Sequence, residues 1–235
     1  MLRRTGVWFA LWALAGCAPG NPGMVIGGVL KPNDECIYET SNVRLLNGVL
    51  DVLPAEHGQP VTYWIRAVLF NQLLNLGQSG MDGPPMADPN VVTVVEAEVE
   101  LRDINGVPLA LGALPNPYRV PATGFVPSSD GTSAGSGIGS AQIIPAIYGS
   151  ALAGLGDATI VAAVQMIGRT AGDAEVITPA LEWTIELCRG CLWACVTVDG
   201  EELCDPSCTP GQDEVVVSPG VCREPPIFAN CAVGS

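Results

Sequence analysis

Hydrophobic and polar residues alternate most regularly over residues 91–103. Val95, Ala97, Val99 and Leu101 interleave with Glu96, Glu98, Glu100 and Arg102. A period of two predicts a half-buried strand with its apolar set on a core and its charged set in water. On a helix the same glutamates would spread over too wide an arc to leave an apolar stripe. Ile104-Asn105-Gly106-Val107 follows with an Asn-Gly hairpin signal. Residues 159–167 (TIVAAVQMI) and 180–187 (ALEWTIEL) predict two more strands, joined by a turn over 169–175 that contains Gly172-Asp173. In the second of them Leu181, Trp183, Ile185 and Leu187 face one way and Glu182, Thr184 and Glu186 the other. Upstream, residues 24–30, 43–53 and 61–74 also read as strands, with Gly48 a bulge or close approach in the second. The Pro/Gly-rich stretch 54–60, which carries His57, reads as a turn. One-sided burial suits antiparallel sheets. The expected fold is therefore all-β: an immunoglobulin-like antiparallel β-sandwich over residues 24–187. A transmembrane barrel would need more paired strands and aromatic girdles, and aromatic residues are only 6% of the chain.

Between the strands lies an unusual stretch. Prolines at 115, 117 and 121 exclude ordinary helix. Residues 128–140 (SSDGTSAGSGIGS) read as a flexible low-complexity loop, and a short helix is predicted around residues 146–153. Long loops in compact domains are often functional, which makes residues 115–156 the candidate ligand-binding segment. Tyr118 and Phe125 are its suggestive aromatics.

The N-terminus has a different pattern. Arg3 and Arg4 precede a short apolar run, and Leu14-Ala15-Gly16-Cys17 follows. This is the layout of an export signal over residues 1–16. The run is too short to span a bilayer, which takes about 20 apolar residues. Ala13 and Ala15 also form an A-x-A-like conventional cleavage pair. The paired arginines lack the rest of a twin-arginine motif. The tetrapeptide resembles the lipobox of bacterial lipoproteins. That resemblance implies lipidation of Cys17 by a thioether-linked diacylglycerol, usually with an N-acyl chain, and firm membrane anchorage. Ala18 in place of aspartate favours the outer membrane, on its periplasmic or cell-surface face. Residues 17–23 (CAPGNPG) would be a short tether. Residues 30–52, Asn71-Gln72-Leu73 and the run 183–192 (WTIELCRGCL) resemble exported bacterial lipoproteins of the myxobacterial type. Those proteins have no assigned activity, so the likeness implies architecture and a cysteine-rich tail rather than a function.

Charge narrows the partners. Ten basic residues face 24 acids, a net charge of −14. Loss of Arg3 and Arg4 with a leader would leave eight basic residues against the same 24 acids. Such a surface argues against nucleic acid, whose phosphates need Lys and Arg, and against anionic headgroups. It suits solubility, or a cationic partner or calcium.

Nine cysteines are present. If Cys17 carries lipid, eight remain: Cys36, Cys188, Cys191, Cys195, Cys204, Cys208, Cys222 and Cys231. Seven of these lie in residues 188–235, a proline-rich tail too short to build a good core alone. Four disulfides in an oxidising compartment are expected, making a small stapled C-terminal module. The 105 possible pairings stay open. A bridge from Cys36 to Cys188 or Cys191 would clamp the tail to the sandwich. Cys188-x2-Cys191 and Cys204-x3-Cys208 also have zinc-ligand spacing, and C-x-x-C occurs at redox sites.

Catalytic signals are sparse. His57 is the sole imidazole and sits in a turn without a nucleophile elbow. The glycines over 135–139 lack a strand–turn–helix setting for phosphate. Glu96, Glu98 and Glu100, with Glu182 and Glu186 nearby, could serve a carboxylate hydrolase. They read more simply as a solvated face balanced by Arg66 or Arg102. Asp103-x-Asn105-Gly106 lacks the remaining ligands of a calcium loop. No catalytic residue, no metal and no cofactor beyond the lipid on Cys17 is assigned. The expected function is that of a membrane-anchored envelope lipoprotein with a structural or interaction role. The alternatives are a glycan- or protein-binding module and, more remotely, a carboxylate-dependent hydrolase. A partner would be an envelope protein or a glycan.

Overall fold

Twelve strands and two short helices make up the computed structural model, which describes residues 23–33, 35–56, 58–77, 87–192, 195–198, 201–204 and 212–213. In chain order they are β1 (Met24–Leu30), β2 (Arg44–Leu45), β3 (Gly48–Asp51), α1 (Leu53–Glu56), β4 (Tyr63–Asn71), β5 (Val92–Asp103), β6 (Tyr118–Val126), β7 (Gly135–Ile144), α2 (Ala146–Ala153), β8 (Ala158–Thr170), β9 (Glu175–Ile177), β10 (Leu181–Cys188), β11 (Cys195–Val198) and β12 (Glu201–Cys204). Residues 1–22, over which an export signal, lipidated Cys17 and most of a tether are expected, lie outside the described residues, as does His57.

The all-β expectation holds. The ten strands β1 to β10 form one continuous ladder, however, instead of the two separate sheets of an immunoglobulin-like sandwich. The order is β2-β1-β4-β7-β6-β5-β8-β10-β3, with β9 paired to β8. Every pairing is antiparallel except β10 with β3. The ladder curls until it is nearly a barrel. Its concave side is filled: Ile65, Leu69, Val99, Leu101, Ile143, Ile160, Val164 and Ile185 are all at or below 1% exposure and share one core cluster. The helices α1 and α2 contact each other and add Ala55, Tyr148 and Leu152 to that cluster. The predicted helix around residues 146–153 matches α2. A single curled sheet can bury its apolar face against itself, so no second sheet is required.

The alternation in β5 places Ala97, Val99 and Leu101 inside as predicted, but Val95 is 37% exposed. The register with both β6 and β8 shifts between Val94 and Glu96. Val95 is thus the extra residue of a bulge, which returns Val92 and Val94 to the inner face.

Two segments turn on glycine. The strand expected over 43–53 is split into β2 and β3, which pair at different places in the ladder. Gly48 is a close approach and not a bulge, because a Cβ there would lie 2.0 Å from the Tyr63 hydroxyl oxygen. The loop expected over 128–140 is strand from Gly135 onward, and β7 pairs with both β4 and β6. A Cβ on Gly135 would lie 1.9 Å from the Pro127 carbonyl oxygen, and one on Gly137 would lie 2.1 Å from that of Phe125. The missing side chains allow the backbones to close up, so a composition that suggests a linker builds an interior strand. The candidate binding loop over 115–156 is correspondingly a β6–β7 hairpin followed by α2.

Candidate functional site

The ladder closes at a seam between β3 and the first half of β4. β1 pairs only with Ala67–Asn71 of β4, leaving the backbone of Trp64 uncovered by that strand. Gln212 and Asp213 fill the gap. The Trp64 N–H donates to Gln212 Oε1 at 2.7 Å, and Gln212 Nε2 donates back to the Trp64 carbonyl. On the other side Asp213 N–H donates to the Val49 carbonyl at 2.9 Å, and Val49 N–H donates to Asp213 Oδ1 at 2.8 Å. Two residues of the tail therefore act as a strand-like clip across the opening.

The clip rests on a buried polar chain. Tyr63 donates its hydroxyl to Asp213 Oδ1 at 2.6 Å and accepts from Trp183 Nε1 at 3.1 Å. Burial, then the Asp213 carboxylate, pushes the Tyr63 phenol far above its ordinary value, so it stays a donor. This chain ties β4, β10 and the tail together below the seam.

Above it, on the outer face of β4, Arg66 is framed by two rings. Its guanidinium carbon lies 4.5 Å from the Tyr38 ring centre and 5.8 Å from that of Trp64. Arg66 Nη1 is buried and has no hydrogen-bond acceptor among the described residues. Leu30, Lys31, Tyr38, Trp64, Gln212 and Asp213 line the cleft beside it, whose free space is about 10 Å³. That is room for about one water molecule, far below the volume of a substrate pocket.

The third part of the seam is a disulfide. Cys188 and Cys191 are bonded to each other, with Cα atoms 5.9 Å apart. This overturns the expected bridge from Cys36 to either of them. Cys36 is itself disulfide-bonded. The local pairing has a local cause. Gly190 takes a left-handed φ of +68°, which folds the four residues back on themselves. Asp51, fully buried at the end of β3, holds the turn. Its carboxylate accepts N–H bonds from Gly190 at 2.9 Å, Leu192 at 3.2 Å and Leu53 at 3.0 Å. Ligand-type atoms of Asp51, Cys188 and Cys191 lie within 4.8 Å of one another, but the two sulfurs are bonded together and not free for zinc. In the tail, β11 and β12 form a hairpin with Cys195 opposite Cys204. The side chains of these two, and the whole of Cys208, Cys222 and Cys231, lie outside the described residues.

The other candidates separate cleanly. Glu96, Glu98 and Glu100 lie on the outer face of β5, as the alternation predicts. Arg119 bridges Glu98 at 3.0 Å and Glu96 at 3.4 Å, while Arg102 pairs with Glu100 and reaches Glu182 at 3.7 Å. Asn47 donates to Glu186. Arg102 balances the acids as expected, and Arg119 takes the role considered for Arg66. Asp103 is occupied by its own turn: Oδ1 accepts from the Asn105 and Val107 N–H groups, both at 2.8 Å. Tyr118 is no ligand platform, being buried and stacked on Tyr148 with ring centres 4.3 Å apart. Phe125 is 61% exposed on the outer face. The glycines over 135–139 lie in β7 and do not open a helix.

Residues that the sequence left unmarked carry the seam. Asp51 had a signal, being the lone charge in the apolar run Val49-Leu50-Asp51-Val52-Leu53. A charge in a buried strand needs dedicated partners. Gln212 and Asp213 had none, since their role depends on a strand edge far away in the chain. Comparison with family models, with curated proteins and with solved structures returns no match to this chain.

Proposed function

We propose that the protein is a membrane-anchored envelope lipoprotein whose β-domain is a rigid body for display or interaction rather than a reaction vessel. The observation that supports this most is the filled concave side of the sheet. Apolar side chains occupy it, and the outward acids of β5 lie in ion pairs instead of converging on a cavity. The lipobox-like Leu14-Ala15-Gly16-Cys17 supports the anchor, and Ala18 supports the outer membrane.

The test is metabolic labelling of the full chain with palmitate, followed by membrane fractionation. Label is expected on the wild type and absent from Cys17→Ala, which should move to the soluble fraction with its β-sheet circular dichroism intact. An unlabelled wild type, or a mature N-terminus upstream of Cys17, overturns the anchor.

A second reading, a glycan- or protein-binding module, draws on Phe125 within residues 115–156 together with Trp64 of β4. Trp64 of β4 and Phe125 of β6 are both exposed on the outer face, separated by β7, where Trp64 pairs with Gln142 and Phe125 with Ile138. Glycan-array binding lost in both Trp64→Ala and Phe125→Ala would favour it.

A further inference from the structure

We propose that Cys188–Cys191 is a thiol–disulfide exchange site for a partner dithiol, with Asp51 as its positioning residue. The bridge is badly placed for a staple. Stabilisation by a crosslink grows with the loop it closes, and this one encloses only Arg189 and Gly190. It is well placed for exchange. Cys191 is exposed, whereas Cys188 is half-buried and still in register with Asp51 at the end of the β10–β3 ladder. The Val52 N–H fixes the Cys188 carbonyl at 2.8 Å. One sulfur is thus open to attack and the other is held on a rigid strand.

Asp51 supplies the second requirement. Its bonds to the Gly190 and Leu192 N–H groups do not involve either sulfur, so they persist when the disulfide opens. The turn keeps its shape and the two thiols stay together, ready to re-form the bond. The charged groups around the turn are Asp51 beneath it, Arg189 within it and Glu56 of α1, which pairs with Arg189 at 2.6 Å.

The exchange balances without a further reagent. A partner thiolate attacks Cys191 Sγ, forming a mixed disulfide and releasing Cys188 as a thiolate. The partner's second thiolate then attacks its own sulfur in that mixed disulfide and releases Cys191. Two electrons pass from the partner dithiol to the Cys188/Cys191 pair. The two protons lost by the partner's thiols are taken up by Cys188 and Cys191.

The test uses the full folded chain in glutathione buffers of graded thiol-to-disulfide ratio, quenched with acid, alkylated and mapped by peptide mass spectrometry. Cys188 and Cys191 are expected to be labelled together and reversibly, at least about tenfold faster than Cys36, while the β-sheet circular dichroism is unchanged. Cys188→Ser should retain a glutathione adduct on Cys191, and Cys191→Ser should react at Cys188 about tenfold more slowly. Asp51→Asn, which loosens the turn that holds the two thiols together, should shift the equilibrium about tenfold toward the dithiol. The proposal is overturned if Cys188 and Cys191 open no faster than Cys36, or only as the sheet melts. That readout comes from the wild type alone, so it stands even if the Asp51 variant fails to fold.

Discussion

The body of the sheet and its seam are held together in opposite ways. Across β4 to β8 the contacts are apolar and redundant: Ile65, Leu101 and Val164 each sit among many interchangeable neighbours. At the seam, closure among the described residues rests on a few directional bonds from Asp51, Gln212 and Asp213. Apolar packing tolerates variation and scales with area, whereas a buried carboxylate is stabilising only while all of its donors are in place. The difference teaches that the seam depends on single side chains where the body of the sheet depends on summed apolar area.

Perturbing each region should keep the two apart. The largest loss is expected in the body: Leu101→Ala should cost about 2–5 kcal/mol in urea unfolding, as large-to-small core changes do. Asp51→Ala strands three backbone N–H groups and should cost about 3 kcal/mol. Its effect on amide exchange should concentrate at Leu53, Gly190 and Leu192. If the Asp51→Ala loss were instead spread evenly over β5 and β8, the distinction would collapse. Asp213→Ala should cost about 1–2 kcal/mol and accelerate exchange at Val49 and Trp64 while Val99 is unaffected.

Alkaline titration sharpens the same contrast. Burial raises the phenols of Tyr63 and Tyr118 in the folded state, so folding holds protons that the unfolded chain releases above about pH 10. The share from these phenols should be constant below that pH and fall as pH rises beyond it, by up to about 1.4 kcal/mol per unit for each tyrosine. Tyr63→Phe should remove one share of the slope. The smallest effect is expected on the outer face, where Arg119→Ala should change stability by less than about 1 kcal/mol because both of its ion pairs are half-exposed.

The legible parts of the fold were those whose cause is local. β10 follows from alternation and β8 from an apolar run bounded by turn residues, each within one segment, and β5 failed only at Val95, where a bulge resets the phase. β7 was hidden because its glycines are selected by neighbouring backbones, which no reading of residues 135–139 alone can supply. Gly48 was legible as a bulge or close approach, but choosing between them required the Tyr63 hydroxyl, which lies far along the chain. The Cys188–Cys191 pairing lay within reach, since a C-x-G-C run can fold back locally, but the even cysteine count drew attention to long bridges. The clip could not be read, because Gln212 and Asp213 carry no pattern of their own and answer to Val49 and Trp64.

The parallel pairing of β10 with β3 sets the order of events as the chain is made. Glu186 follows Val49 by 137 positions, so β3 emerges from the ribosome long before its neighbour exists. Antiparallel hairpins such as β6–β7 can form while synthesis continues, but β3 must wait with both edges bare, since its neighbours β10 and Asp213 both come later in the chain. A newborn chain is therefore an open ribbon for most of its production and becomes a closed one only when its last quarter arrives.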